Sequence, residues 1–226
     1  MSEEFKVDIN DHQSVTATLY PANKRSRTGM TLTLGHGAGA GQTSGFLVTF
    51  ATELAARGID VVTFNFFYAE HRRGAPDKND KLEACYSAVI QAVRKHPNLR
   101  RNKLAIGGKS MGGRIASQVA ASGVSDIAGL VFLGYPLHPL GKPEQLRAKH
   151  LPNIKSPMLF VQGSRDAFGT PDELRTVMKQ FNAPAELFVI ESGDHSFKVP
   201  KSAGTQDVVF ESVQDKITDW LRGVAK

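Results

Sequence analysis

A short apolar run, Leu104 to Ile106, breaks into glycines and is followed at once by a helical pattern from Ser110 to Gly123. Between them lies Gly108-Lys109-Ser110-Met111-Gly112, a G-x-S-x-G pentapeptide at a strand-to-helix turn. No other stretch narrows the possible folds as much. A serine pushed out at so sharp a turn takes up a strained backbone, and small flanking residues let strand and helix pass close by. The helix then aims its free N–H groups and the positive end of its dipole at negative charge forming beside the hydroxyl. Taken alone, the pentapeptide also fits a glycine-rich βα turn in which Ser110 merely caps the helix. A phosphate-binding loop is rejected, because its leading glycine would fall on Lys103 and no loop separates Ile106 from Gly107.

The rest of the chain repeats strand and helix around this turn. Phe5 to Ile9 and Ser14 to Tyr20 alternate as two strands joined at Asn10-Asp11, and Met30 to Leu34 reads as a third. Leu47, Phe50, Ala51 and Leu54 mark one helix face that stops at Gly58, and Ile59 to Phe66 is a largely apolar strand. Phe67 to Asn79 reads as an irregular loop. A helix follows with Leu82, Cys85, Tyr86, Val89 and Val93 on one face. After the serine-bearing unit come strands at Gly129 to Leu133, Met158 to Gln162 and Glu186 to Ile190. Thr170-Pro171-Asp172-Glu173 opens a helix with a capping box, and Val209, Phe210, Val213, Ile217 and Trp220 mark a last amphipathic one. This alternation predicts one α/β domain over residues 1–226, a mostly parallel central sheet with helices on both faces.

In open α/β sheets, functional groups collect at the carboxyl ends of the strands. Three such ends here carry Ser110, Asp166 and His195, in that order along the chain, and a fourth opens the glycine-rich loop from His36. A serine hydroxyl is a poor nucleophile at neutral pH. It needs an imidazole to take its proton, and the imidazole needs a carboxylate to fix its tautomer and stabilise the cation. His195 and Asp166 are the candidates, with Asp194 second as the acid. The backbone N–H groups of Met111 and Ala38 are the expected oxyanion donors. His36 is expected to pack beneath its loop, and Cys85 to be a core residue.

A dinucleotide site at Gly35-x-Gly37-x-x-Ala40 is set aside, because the next strand ends in Asn65-Phe66 and its acidic residue, Asp60, lies at the beginning. No cofactor or metal is expected. Lys and Arg total 28 against 22 Asp and Glu, a net charge of +6, but the basic residues are scattered and form no nucleic-acid module. A solvated basic surface is the expectation, with a weak preference for anionic substrates. No apolar run approaches the ~20 residues that span a bilayer. The acidic start Met1-Ser2-Glu3-Glu4 is no secretory signal, and the lone Cys85 permits no internal disulfide; the default expectation is the cytoplasm.

Four segments together give the chain a family likeness: Leu34-Gly35-His36-Gly37-Ala38-Gly39, Gly108-Lys109-Ser110-Met111-Gly112-Gly113-Arg114, Leu133-Gly134-Tyr135-Pro136-Leu137-His138-Pro139, and Gly193-Asp194-His195-Ser196-Phe197. They resemble the small, cap-less α/β hydrolases related to dienelactone hydrolase. Within that group the chain is similar to the branch that includes the testis-expressed hydrolase-like protein of animals. The resemblance implies an α/β-hydrolase fold without a large cap domain, and it puts nucleophile, acid and base on Ser110, Asp166 and His195. Dienelactone hydrolase itself has cysteine at the elbow, so this chain departs from it there. The branch also contains protein-binding scaffolds.

The connection from Leu133 to Met158 is too short for a large lid. An open, shallow pocket is therefore expected, lined by Phe66, Phe67, Tyr68, Met111, Leu137, His138 and Phe168, and suited to short or accessible esters. Arg72, Arg73 and Arg165 are candidates for recognising a substrate carboxylate, with a solvated role as the alternative. The function expected is a serine esterase acting on a small-molecule ester. The alternatives are an inactive scaffold and, among enzymes, a thioesterase or peptidase.

Overall fold

Successive side chains on a strand point to opposite faces, so a sheet covered on both sides divides each strand between two cores. The computed structural model, which describes residues 1–225, is built on that division. Its strands are β1 (Glu3–Asn10), β2 (Gln13–Tyr20), β3 (Met30–Gly35), β4 (Asp60–Phe64), β5 (Lys103–Lys109), β6 (Ile127–Leu133), β7 (Met158–Gly163) and β8 (Ala185–Ile190). Its α-helices are α1 (Gly45–Ala56), α2 (Phe67–Glu70), α3 (Asn79–Lys95), α4 (Met111–Ala121), α5 (Pro171–Met178) and α6 (Gln206–Ala225). In β6, Leu130 and Phe132 join one apolar cluster while Val131 and Leu133 join the other. The first cluster also takes Leu82 and Val89 of α3, Ile115 and Val119 of α4 and Leu174 of α5. The second takes Leu47, Phe50 and Leu54 of α1 and Val213, Ile217 and Leu221 of α6. Helices thus cover both faces.

The eight strands form one sheet in the order β1-β2-β4-β3-β5-β6-β7-β8. β2 pairs antiparallel with β1 and β4; every pairing from β4 through β8 is parallel. Parallel strands need a crossover on each return, and these put the carboxyl ends of β3, β5, β7 and β8 along one edge.

Details differ from the sequence reading: β4 ends at Phe64 and not at Phe66, and β6 begins at Ile127 and not at Gly129. The stretch 67–79 opens with one helical turn, α2. β5 does not stop at its glycines but runs on through Gly107 and Gly108 to Lys109, pairing with both β3 and β6. As expected, the connection from Leu133 to Met158 raises no cap domain over the edge; it holds a single 3-10 turn, Leu151–Asn153. The expected capping box at α5 is present, with the Thr170 hydroxyl accepting from the Glu173 N–H and the Glu173 carboxylate from the Thr170 N–H.

Candidate active site

Ser110 occupies the turn between β5 and α4 with φ 51° and ψ −115°, a conformation a side-chain-bearing residue rarely holds. Its backbone N–H donates to the Leu133 carbonyl at 3.0 Å, and its hydroxyl makes no capping bond to α4. The capping role is thereby removed, and the Oγ is free to face the edge of the sheet.

It meets His195 there. His195 Nε2 lies 2.8 Å from Ser110 Oγ, and Nδ1 lies 2.7 Å from Asp166 Oδ2. The Asp166 side chain is fully buried. It also accepts from Gln162 Nε2 at 2.8 Å and from the Phe168 N–H at 2.9 Å. With donors on the carboxylate, the partners assign Nδ1 as the protonated ring nitrogen, leaving Nε2 to accept from the serine. Asp194 is engaged elsewhere: one of its oxygens accepts from the Ser196 and Lys198 N–H groups at 2.8 and 2.9 Å, closing a turn.

Met111 begins α4, where backbone N–H groups have no intrahelical acceptor, and Ala38 lines the same cleft on the β3 loop. His36 pins that loop from below. It is fully buried, its Nδ1 lies 2.8 Å from the Gly37 carbonyl, and its Nε2 accepts from the Phe66 N–H at 3.1 Å. Burial pulls its pKa below the usual histidine value, which keeps the ring neutral. Cys85 is buried as expected, and burial pushes its thiol up to about 12.

A cleft of about 840 Å³ opens over Ser110. Met111 and Phe168 line it, with the Phe168 ring 4.6 Å from that of His195. The other expected lining residues point elsewhere, because their loops fold back onto the core. Phe66, Tyr68 and Leu137 are fully or almost fully buried, with Phe66 and Tyr68 edge-on to His36. Phe67 packs on His71 and under Arg73. His138 is held by the Pro139 carbonyl and faces Glu173 at 3.4 Å. Nor do Arg72, Arg73 and Arg165 line the cleft: Arg73 pairs with Asp77 at 3.3 Å, and Arg165 Nε donates to the Ser192 carbonyl at 2.9 Å. In their place stand Phe46, Leu47 and Phe210 from α1 and α6, and the cations Lys109, Arg114, Arg147 and Lys198.

Lys109, the second residue of the pentapeptide, turns inward. Its ammonium donates to the His195 carbonyl at 2.6 Å and lies over the rings of Phe46 and Phe197 at 5.8 and 5.6 Å. Burial lowers its pKa from 10.5 to about 8, against the pull of Asp166 and Asp194. From about pH 8 to 10.5 the folded protein therefore binds fewer protons here than the unfolded chain, so this group makes stability rise with pH across that window. Buried Cys85 and Tyr86, with raised pKa values, oppose it at the alkaline end, so the informative quantity is a difference between variants. Lys109→Met is expected to raise the urea midpoint at pH 7 and to lose that advantage progressively between pH 8 and 10.5. It is also expected to lower kcat by about tenfold, by freeing the His195 backbone. Urea titrations at several pH values check the first part; a pH-independent difference between the two proteins would refute it.

Comparison with known proteins bears on the whole arrangement. Residues 28–222 match the model of an alpha/beta hydrolase domain. Carboxymethylenebutenolidase of Pseudomonas putida is 32% identical over 127 residues, which are 54% of this chain and 50% of that protein. The match thus spans about half the length of that relative. Among solved structures, an α/β serine hydrolase homologue from Coxiella burnetii superposes with a TM-score of 0.76 at 20% identity, covering 97% of each chain. Dienelactone hydrolase from Anabaena variabilis gives 0.76 at 19%, over 97% of this chain and 96% of that one. A lid-less α/β serine hydrolase from Xanthomonas campestris gives 0.75 at 18%, over 97% and 94%. At such identities these structures speak for the fold alone.

Proposed function

The chain belongs to the alpha/beta hydrolase domain family, and from that premise we propose that it is a serine hydrolase cleaving accessible carboxylic esters through an acyl-enzyme on Ser110. The observation that carries this reading is the unbroken relay from Ser110 Oγ to His195 Nε2 at 2.8 Å and from His195 Nδ1 to Asp166 Oδ2 at 2.7 Å. As Ser110 Oγ attacks the ester carbonyl, its proton passes to Nε2, and the buried Asp166 carboxylate stabilises the imidazolium. The N–H groups of Met111 and Ala38 receive the oxyanion, each contributing about 3–4 kcal/mol to the transition state. His195 then protonates the departing alcohol. A water molecule activated by the same ring hydrolyses the acyl-enzyme, restoring Ser110. These steps need a small-molecule ester and no cofactor.

The same proposal takes residues 1–226 as one hydrolase domain working in the cytoplasm. No described helix is long and apolar enough to cross a membrane.

A fluorophosphonate probe tests the reading directly. The wild-type protein is expected to be labelled and to hydrolyse para-nitrophenyl acetate, with both signals absent from Ser110→Ala. A folded wild-type protein that takes no label would favour a scaffold role instead.

A further inference from the structure

The cleft over Ser110 is walled differently on its two sides, following the two faces of the sheet. Phe46, Leu47 and Phe210 come from the face covered by α1 and α6, with Phe46 stacked on Phe50 at 4.4 Å and edge-on to Phe210 at 5.6 Å. Arg114 of α4 and Arg147 of the β6–β7 connection come from the opposite side. Arg114 is one helical turn beyond the serine, its N–H donating to the Ser110 carbonyl at 3.1 Å.

The two arginines stand outside the ion pairs of the described residues. The Arg114 guanidinium donates to Gln118 Oε1 and Asn79 Oδ1, both at 3.1 Å and both neutral amides. Burial, and then the like charge of Arg147, depress its pKa; Glu83 opposes this without forming an ion pair. The carboxylate on the cleft wall, Asp77, is already 3.3 Å from Arg73; Lys109 stands across the cleft over the Phe46 ring, its ammonium taken up by the His195 carbonyl. Two guanidinium groups lining one cleft without an ion-pair partner repel, and a bound oxyanion removes that repulsion while matching their planar donor forks.

The geometry points to Arg114 and Arg147 as an oxyanion subsite, and to bipolar esters as substrates. One end of such an ester is apolar and lies on the Phe46–Phe210 side of Ser110; the other carries a carboxylate or similar oxyanion and lies on the arginine side. As a substrate assignment this rests on the hydrolase reading of Ser110. The ester C–O bond breaks, water supplies hydroxyl to the acyl carbon and a proton to the alcohol oxygen, and one product keeps the oxyanion.

Two ester pairs test it, since either half of the ester can face the arginines. The first is para-nitrophenyl hemiglutarate against para-nitrophenyl valerate. The second is the phenylpropanoyl ester of para-hydroxybenzoate against that of para-cresol. In at least one pair the anionic member is expected to have a kcat/KM about tenfold higher at low salt, the scale of one charge-assisted pair. That ratio is expected to fall several-fold in Arg147→Gln and in Arg114→Gln, whose folding is checked by circular dichroism. No anionic preference in either pair, or a preference untouched by both substitutions, would overturn the substrate assignment.

A binding measurement separates this from the hydrolase reading. Ser110→Ala titrated with glutarate, and separately with inorganic phosphate, is expected to show saturable binding that weakens at least fivefold when Arg147→Gln is added. Absence of saturable binding by either ion overturns the subsite, whatever the wild-type protein turns over. Binding lost with Arg147, in a protein that neither labels nor hydrolyses, keeps the subsite and removes the hydrolase.

Discussion

Asp166→Asn is expected to lower kcat for ester hydrolysis by about 10⁴-fold while leaving the protein folded. Three donors converge on the two oxygens of Asp166: His195 Nδ1, Gln162 Nε2 and the Phe168 N–H. An asparagine offers a single oxygen to them. Gln162 cannot turn its own amide round to compensate, because its Oε1 already accepts from the Tyr135 N–H at 2.8 Å and its Nε2 also donates to the Gly169 carbonyl at 2.7 Å. Gln162 and His195 share Oδ2 while the Phe168 N–H holds Oδ1, so an asparagine that keeps its oxygen on the Phe168 N–H presents its NH₂ to His195 Nδ1 and leaves Gln162 Nε2 with the Gly169 and Tyr135 carbonyls alone. That ring nitrogen must become the acceptor, which moves the ring proton to Nε2. The N–H then faces Ser110 Oγ, and nothing remains there to take the serine proton. The isosteric amide keeps the packing, so circular dichroism and urea titration should report a folded protein. Fluorophosphonate labelling should slow in parallel with kcat. A loss smaller than about tenfold would mean that Asp166 is not the group orienting His195.

Asp166 and His195 were legible in the sequence for a topological reason. Strand–helix alternation puts the residues after β5, β7 and β8 on one edge, and Ser110, Asp166 and His195 stand one, three and five positions past those strand ends, close enough to remain there. Cleft walls obey no such rule. Tyr68 was expected at the site because it follows β4, but α2 turns it inward onto His36. Leu137 has the hydrophobicity of a pocket residue and is spent on the core instead. Phe46 and Phe210 reach the cleft together only because α1 and α6 pack side by side on one face, a pairing between residues far apart in the chain. Nor did spacing show Arg147, which arrives on an irregular connection. Arg114 was the exception: at four positions beyond Ser110 on a helix, its closeness to the serine follows from the 3.6-residue turn alone. Lys109 was equally visible as a residue. Its inward turn depended on the His195 loop being there to accept its hydrogen bond.

Gly112→Ala is expected to cost about 3–5 kcal/mol of stability or to prevent folding. A β-carbon on residue 112 would lie 2.1 Å from the Gly35 carbonyl oxygen and 2.3 Å from its carbon. Those atoms are backbone at the end of β3, which pairs with β4 on one side and β5 on the other, so they have nowhere to retreat. Gly108 meets the same obstacle from the strand side, 2.3 Å from the Gly35 oxygen, with φ at 155°. Three glycines are thus packed against one another where β5 turns into α4, and that contact lets Ser110 stand at φ 51°. Relief by shifting α4 would carry Ser110 away from His195, so any folded fraction should also label slowly. Gly45→Ala is the matched control: a β-carbon there meets nothing within 4 Å at the first turn of α1, and the helix should gain up to about 1 kcal/mol. Urea midpoints of the two variants should move in opposite directions. If Gly112→Ala unfolded within about 1 kcal/mol of the wild type and labelled at the same rate, the close packing of β3 on α4 would not be what holds the serine in place.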